Sequence, residues 1–431
     1  METVFTPDAK MTPYWWETSP RPTTDQGQLA SQTDILVIGS GYTGLHAAIE
    51  LARGGRKVLV VDASEIGFGC STRNGGQIST SVKPGFEQLA KRHGEATARR
   101  IFEDGRRSLK WTEEFIRAEG ISCDFKVVGR FHVAHNQRAF NDLVASIRNQ
   151  PRGLEVKAFP VSRSQQAGEL GSDVYHGGVI FEEHASLDPG RYHAGLVTLA
   201  REAGVAFASS CKVTNVERSQ GRFRVETVRG PIEATNVVLA TNGYSGPLSR
   251  WHQRRIIPIG SYIIATEELP EELMDELIPK NRIVSDTRRV LCYFRASPDR
   301  RRLLFGGRVS SGETDPGRSG LLLYREMINL FPQLRGYKVS HSWMGYVGYT
   351  FDTLAHTGQN DGIHYAMGYC GSGVGMAGYL GMRIGQTILG KAEGHTGYGE
   401  TQFPSRTYYH GNPWFLKPAV HVYRLRDRLG I

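Results

Sequence analysis

Cysteine is scarce and scattered in this 431-residue chain. Cys70, Cys123, Cys211, Cys292 and Cys370 form no CxxC pair and join no Cys/His cluster, which excludes a zinc motif and a disulfide framework and fits a reducing compartment. Long apolar runs are also missing. No stretch of about 18 uninterrupted apolar residues occurs, and the opening METVFTPDAKMTPYWWETSP has neither a basic leader nor an apolar h-region. A cytoplasmic protein without a membrane span is expected. There is no GxSxG elbow and no HExxH helix, so hydrolase and metalloenzyme chemistry lack their parts and no metal site is expected. The formal charge of +9 comes without a basic tail or a nucleic-acid motif, and bases and acids are interleaved. An anionic small-molecule cofactor and an anionic substrate account for the excess more simply than nucleic acid does.

Glycine, by contrast, is abundant, and its placement is informative. In DILVIGSGYTGLHAAIELA, Ile35 to Ile38 is a short apolar run suited to a strand buried on both faces. Leu45, Ala48, Ile49 and Ala52 then fall on one helical stripe. Gly39, Gly41 and Gly44 sit at the junction: the first permits the tight turn, the second removes a Cβ where a pyrophosphate must approach, and the third lets helix and strand pack closely. Tyr42 and Thr43 open the helix, whose unpaired N–H groups suit a phosphate. Val58 to Val61 reads as the next strand, and Asp62, followed by Ala63 and Ser64, stands where a carboxylate can bind a ribose diol. The series strand, GxGxxG, helix, strand, acid predicts a dinucleotide site and leaves NAD and FAD open.

Three further segments bear on that choice. GFGCSTRNGGQIS follows the acid with small and hydrogen-bonding residues (Cys70, Ser71, Thr72, Asn74, Gly75, Gly76, Gln77), where an NAD unit would pass into its next helix. MGYCGSGVGMAGYLGMRIGQTILG sets Gly371, Ser372, Gly373, Val374, Gly375 and Met376 at the start of a second helix, whose amino end suits the pyrimidine edge of a reduced flavin. NVVLATNGYSG is a buried-strand pattern ending in Thr241, Asn242 and Gly243.

Together these segments resemble the glycine oxidase, sarcosine oxidase and D-amino-acid oxidase superfamily of FAD enzymes. Within it, GSGYTGLHAAIELA, IGFGCSTRNGGQ, LIPKN, LLFGGR, FPQL and LRDRLG look like the γ-glutamylputrescine oxidase branch, with Asp62 where that branch has Glu and Ser372 where it has His. The resemblance spans about Asp34 to Ile431. It implies an α/β (α+β composite) fold, with a Rossmann-like FAD-binding domain from residues 30–80, 150–245 and 340–395. The substrate domain would be a discontinuous, helix-flanked antiparallel sheet from 81–149 and 246–339, flanked by an N-terminal arm (1–29) and a C-terminal tail with a helix (396–431). It also places Val213 against adenine.

Helical composition runs from Phe86 to Glu119, and strands are read at Val127 to His135, Gly260 to Glu267, Leu291 to Arg295 and Arg301 to Ser310. The expected activity is FAD-dependent oxidation of a C–N bond in a primary or secondary amine or amino acid, with FAD held noncovalently and O₂ reduced to H₂O₂. A carboxylate-bearing substrate such as an N-substituted amino acid or imino diacid is expected. A γ-glutamylputrescine-type polyamine is the alternative substrate, and a flavin dehydrogenase using a quinone or protein acceptor is the alternative activity. Candidate substrate contacts are Tyr244, Tyr262, Tyr293, Arg295, Arg308 and Tyr349, with Arg73 near the flavin. Arg295 or Arg308 is the candidate clamp for a carboxylate. Tyr14, Trp15 and Trp16 read as an arm packed on the body.

Overall fold

The computed structural model describes residues 4–21, 29–80, 82–308 and 313–429. Two large sheets organise them. The first grows around the glycine motif. Gln32–Ile38 pairs in parallel with Val58–Val61 on one side and Gly230–Leu239 on the other. Ile35, Leu36, Val37, Val60 and Val61 are completely buried, as expected of strands covered on both faces. Ala206–Ala208 extends the parallel part, and an antiparallel ladder of Val213–Ser219 and Arg222–Thr227 extends the other edge. Helix Tyr42–Arg53 packs beneath the turn against helix Gly373–Ile388. Their seam is made of glycine: a Cβ on Gly381 would stand 2.3 Å from the Thr43 carbonyl oxygen, and one on Gly378 2.8 Å from the His46 ring.

The second sheet has nine strands, in the spatial order Phe5–Lys10, Val339–Tyr349, Ile257–Thr266, Leu303–Gly307, Cys292–Ala296, Ile283–Asp286, Arg130–Val133, Gly178–Phe181 and Ala158–Val161. Helix Pro316–Leu330 covers one face through a core that includes Phe294, Phe305 and Phe331. The opposite face meets the glycine-rich loop after Asp62.

Sheet membership corrects the expected boundaries. Ala158–Val161, Gly178–Phe181 and Val339–Tyr349 belong to the nine-stranded sheet rather than the dinucleotide-binding part. Helices Phe86–His93 and Glu95–Ala118, which part at Gly94 (φ 84°), pack through Leu89, Ala98, Ile101 and Ile116 with the glycine-motif helices. The sheet is mixed, since Phe5–Lys10 and Arg130–Val133 pair in parallel with Val339–Tyr349 and Ile283–Asp286. The strand expected at 127–135 splits into Lys126–Val127 and Arg130–Val133 around Gly129 (φ 70°). Residues 309 and 310 of the strand expected at 301–310 lie outside the described residues, and the rest forms Leu303–Gly307. Helix Pro189–Glu202 is capped by Asp188, whose carboxylate accepts from the Gly190 and Arg191 N–H groups at 2.8 and 3.0 Å. The arm packs with Trp15 fully buried, and the tail carries helix Leu416–Leu429.

Candidate active site

The glycine turn, the loop after Asp62, the turn after Gly230–Leu239 and the amino end of Gly373–Ile388 converge on one cavity of about 740 Å³. Gly39, Gly41, Tyr42, Thr43, Asp62, Ala63, Ser64, Cys70, Ser71, Asn74, Val213, Thr241, Asn242, Tyr244, Gly371, Gly373 and Val374 line it.

The turn is built for close approach. Gly39 has φ 107°, and a Cβ there would stand 2.8 Å from the Ala240 carbonyl oxygen. A Cβ on Gly44 would stand 2.0 Å from the Gly39 carbonyl oxygen. A Cβ on Gly41 would meet Ser71 Oγ at 2.9 Å, and this hydroxyl accepts from the Tyr42 N–H at 2.9 Å. Asp62 accepts from the Ser40 N–H (2.9 Å), the Ser40 hydroxyl (2.6 Å) and the Ser64 N–H (3.0 Å), which fixes its carboxylate at the end of the strand.

Thr72, Gly75, Gly76, Gln77, Gly243, Ser372, Gly375 and Met376 do not line the cavity; they stand behind its wall. Thr72 donates to the Gly67 carbonyl at 2.5 Å, the Ser372 carbonyl accepts from the Met376 N–H at 3.3 Å at the start of the second helix, and Met376 is buried in the core. Sequence reasoning missed Ser40, Lys212, Val347 and Tyr369, which do line it. Tyr369 could have been read from its place beside the second glycine cluster. Lys212 and Val347 carried no local signal.

Three indoles hold the loop after Asp62. Trp15 Nε1–H donates to the Asn74 carbonyl (2.8 Å), Trp16 Nε1–H to Thr72 Oγ1 (2.9 Å) and Trp343 Nε1–H to the Arg73 carbonyl (2.8 Å). Arg73 itself anchors the loop. Its guanidinium lies 4.6 Å from the Trp16 ring centre and 4.4 Å from that of Phe68, and donates to the Phe68 and Met344 carbonyls.

The candidate substrate residues separate by strand alternation. Tyr293 faces the loop: a Cβ on Gly75 would touch its ring at 3.0 Å, and its hydroxyl hydrogen-bonds Ser261 at 2.9 Å. Tyr262 points to the other face, where it donates to Glu313 at 2.8 Å within the helix-covered core. Arg295 shares the Tyr293 face, but its Nη1 donates to the Gly76 and Leu187 carbonyls at 2.9 and 2.8 Å, and burial lowers its pKa to about 10. Arg308 is engaged with Glu313 and the Gly260 carbonyl. Both arginines bond the protein, and neither lines the cavity. Tyr244 accepts from the Tyr346 N–H at 3.1 Å. Burial raises the Tyr349 phenol to about 12 and the Cys70 and Cys370 thiols to about 11. The described residues contain no metal-binding cluster and no helix long and apolar enough to cross a membrane.

The donors fit an FAD: two helix amino ends open on the cavity, a carboxylate closes the second strand, and glycines stand where side chains would intrude. The comparisons agree. Residues 34–387 match the DAO family, described as FAD dependent oxidoreductase. The chain is 33% identical over 366 residues to a probable oxidoreductase, OrdL, of Haemophilus influenzae, covering 84% of each protein. It is 32% identical over 407 residues to the gamma-glutamylputrescine oxidoreductase of Escherichia coli, covering 92% of this chain and 93% of that one. Glycine oxidase from Geobacillus kaustophilus shares the fold, with a TM-score of 0.73 at 17% identity over 88% of this chain and 100% of that one.

Proposed function

The chain belongs to the DAO family of FAD-dependent oxidoreductases, and from that premise we propose that it oxidises a C–N bond of an aliphatic amine that also bears a carboxylate, with O₂ as electron acceptor. Bound FAD supplies the two-electron chemistry: the carbon beside nitrogen gives up a hydride equivalent and the nitrogen a proton, water hydrolyses the resulting imine to an aldehyde or oxo acid, and O₂ leaves as H₂O₂.

The chain's own residues bind and orient. The glycine turn and Asp62 would hold the pyrophosphate and ribose, and Val213 lies in the wall where adenine is expected. The amino end of Gly373–Ile388 would stabilise negative charge on the reduced ring. Tyr293, Tyr349, Cys70 and Cys370 are uncharged at neutral pH, and burial raises each pKa further. None of them offers a counter-ion to an ammonium, so an amine seated among them is favoured as the free base, the form that can be oxidised. Both thiols are poor nucleophiles for the same reason, which supports noncovalent FAD.

The observation that carries this reading is the convergence of distant segments on one cavity. The test is anaerobic bleaching of the flavin band by a panel of amines, followed by a peroxide assay in air. A protein that stays colourless with FAD, or whose flavin no amine bleaches, sinks it. Bleaching with dye reduction and no peroxide would replace O₂ with another acceptor.

A further inference from the structure

Helix Leu416–Leu429 is docked on the body by one face. Val420 is buried, and seven residues on, the Asp427 carboxylate accepts from the Arg289 and Val290 N–H groups at 2.9 and 3.1 Å. The Arg289 guanidinium also stands over the Tyr423 ring, 5.8 Å from its centre. These contacts fix how the helix is turned, so the residues on its far side are held outward.

That far side is apolar. Pro418, Val422, Leu425 and Leu429 follow one another at intervals of four, three and four residues, the spacing of a single helical stripe. Val422 is 48% exposed, Leu425 56% and Leu429 61%, whereas a surface helix ordinarily turns such a stripe to the core. Just before the helix, Trp414 is 61% exposed and meets the exposed Tyr408 ring edge to face, with centres 6.3 Å apart.

Bases border the stripe on both sides. At about 100° per residue, Lys417 and His421 fall along one edge and Arg426 along the other, and all three are exposed. From Arg406 to Leu429 the only acid in the sequence is Asp427, whose carboxylate is turned to the docked face. An apolar stripe between long basic side chains is the arrangement of a helix lying in the plane of a bilayer: apolar residues reach the acyl chains, Lys and Arg reach the phosphates, and Trp and Tyr sit at headgroup level. A second copy of the chain fits less well, because two such helices face to face would set basic edges against basic edges.

We propose that the outward face of helix Leu416–Leu429, together with Trp414, is a docking surface for an anionic phospholipid bilayer. It holds the enzyme against the membrane peripherally, whatever substrate the flavin cavity takes.

The test sediments the full-length, FAD-loaded protein with vesicles of phosphatidylcholine alone or of phosphatidylcholine mixed equally with phosphatidylglycerol. Wild type should pellet with the mixed vesicles, and the bound fraction should fall in high salt. The double variants Leu425→Gln/Leu429→Gln and Lys417→Gln/Arg426→Gln should each bind the mixed vesicles about tenfold more weakly, with flavin content and Tm unchanged. Lys417→Arg/Arg426→Lys should bind as wild type does. All four substituted side chains are exposed, so the variants should fold. Protein that stays in the supernatant with the mixed vesicles, or glutamine variants that pellet as wild type does, overturns the docking surface. Equal binding to phosphatidylcholine alone overturns the anionic headgroup as its partner. A dimer that Leu425→Gln/Leu429→Gln takes apart, in protein that ignores vesicles, overturns the membrane and gives the surface to a second copy.

Discussion

At the residue scale, Gly44 has the sharpest consequence. Its missing side chain would stand 2.0 Å from the Gly39 carbonyl oxygen and 3.1 Å from Val37 Cγ1. The first neighbour is backbone in the turn that shapes the cavity, so it cannot swing away as a side chain can. Overpacking at such a point costs about 1–3 kcal/mol or more. Gly44→Ala should lower the unfolding free energy measured in urea by that order and impair FAD binding through the displaced turn. Gly41→Ala differs: its 2.9 Å neighbour is the Ser71 hydroxyl, a side chain with room to rotate. FAD titration of the two variants checks the order, and equal retention by Gly44→Ala and wild type would contradict it.

At the scale of elements, the loop after Asp62 is held from outside by Trp15, Trp16 and Trp343, two on the N-terminal helix and one on the longest strand. Trp343→Phe keeps an aromatic ring at this buried position, at the cost of a small cavity, and withdraws the donor from the Arg73 carbonyl. A buried acceptor losing its partner costs about 1–3 kcal/mol. Because Cys70, Ser71 and Asn74 line the cavity, part of that loss should appear as FAD affinity weakened about tenfold, measured by flavin released on ultrafiltration. A fall in Tm with FAD retention unchanged would uncouple the loop from the cofactor.

The same loop marks where the sequence stops being legible. The first strand, turn and helix follow from the spacing of Ile35–Ile38, the three glycines and the Leu45–Ala52 stripe, all within one short segment. Strand periodicity also put Tyr293 and Arg295 on one face. It could not say that Arg295 meets the Gly76 and Leu187 carbonyls, because those partners come from segments far away in sequence. Tyr262 was misread for a related reason: without strand register, nothing tells which side of Ile257–Thr266 faces the helix.

For the whole molecule, ion pairs between distant segments set how the fold meets acid. Glu400, in the turn that follows the second glycine helix, accepts from Arg100 Nε and Nη2 at 2.6 and 2.5 Å, from Thr97 at 2.8 Å, and lies 2.9 Å from His395 Nε2. The Arg100 hydrogen bonds are the main reason its pKa falls from 4.5 to about 2. The folded state therefore favours the carboxylate, and the stability this contributes is complete above the unfolded value and is lost as pH falls from about 4.5 towards 2. Over that range protonation of other carboxylates raises a net charge that is already +9 at neutrality, which adds repulsion. Arg100 is exposed, so solvent and salt screen the pair, and Glu400→Gln should lower Tm at pH 7 by only about 1–2 °C. The difference from wild type should shrink in high salt and vanish as pH approaches 2. A deficit that persists unchanged at low pH would mean that packing of the turn on helix Glu95–Ala118, rather than its charge, is what Glu400 supplies.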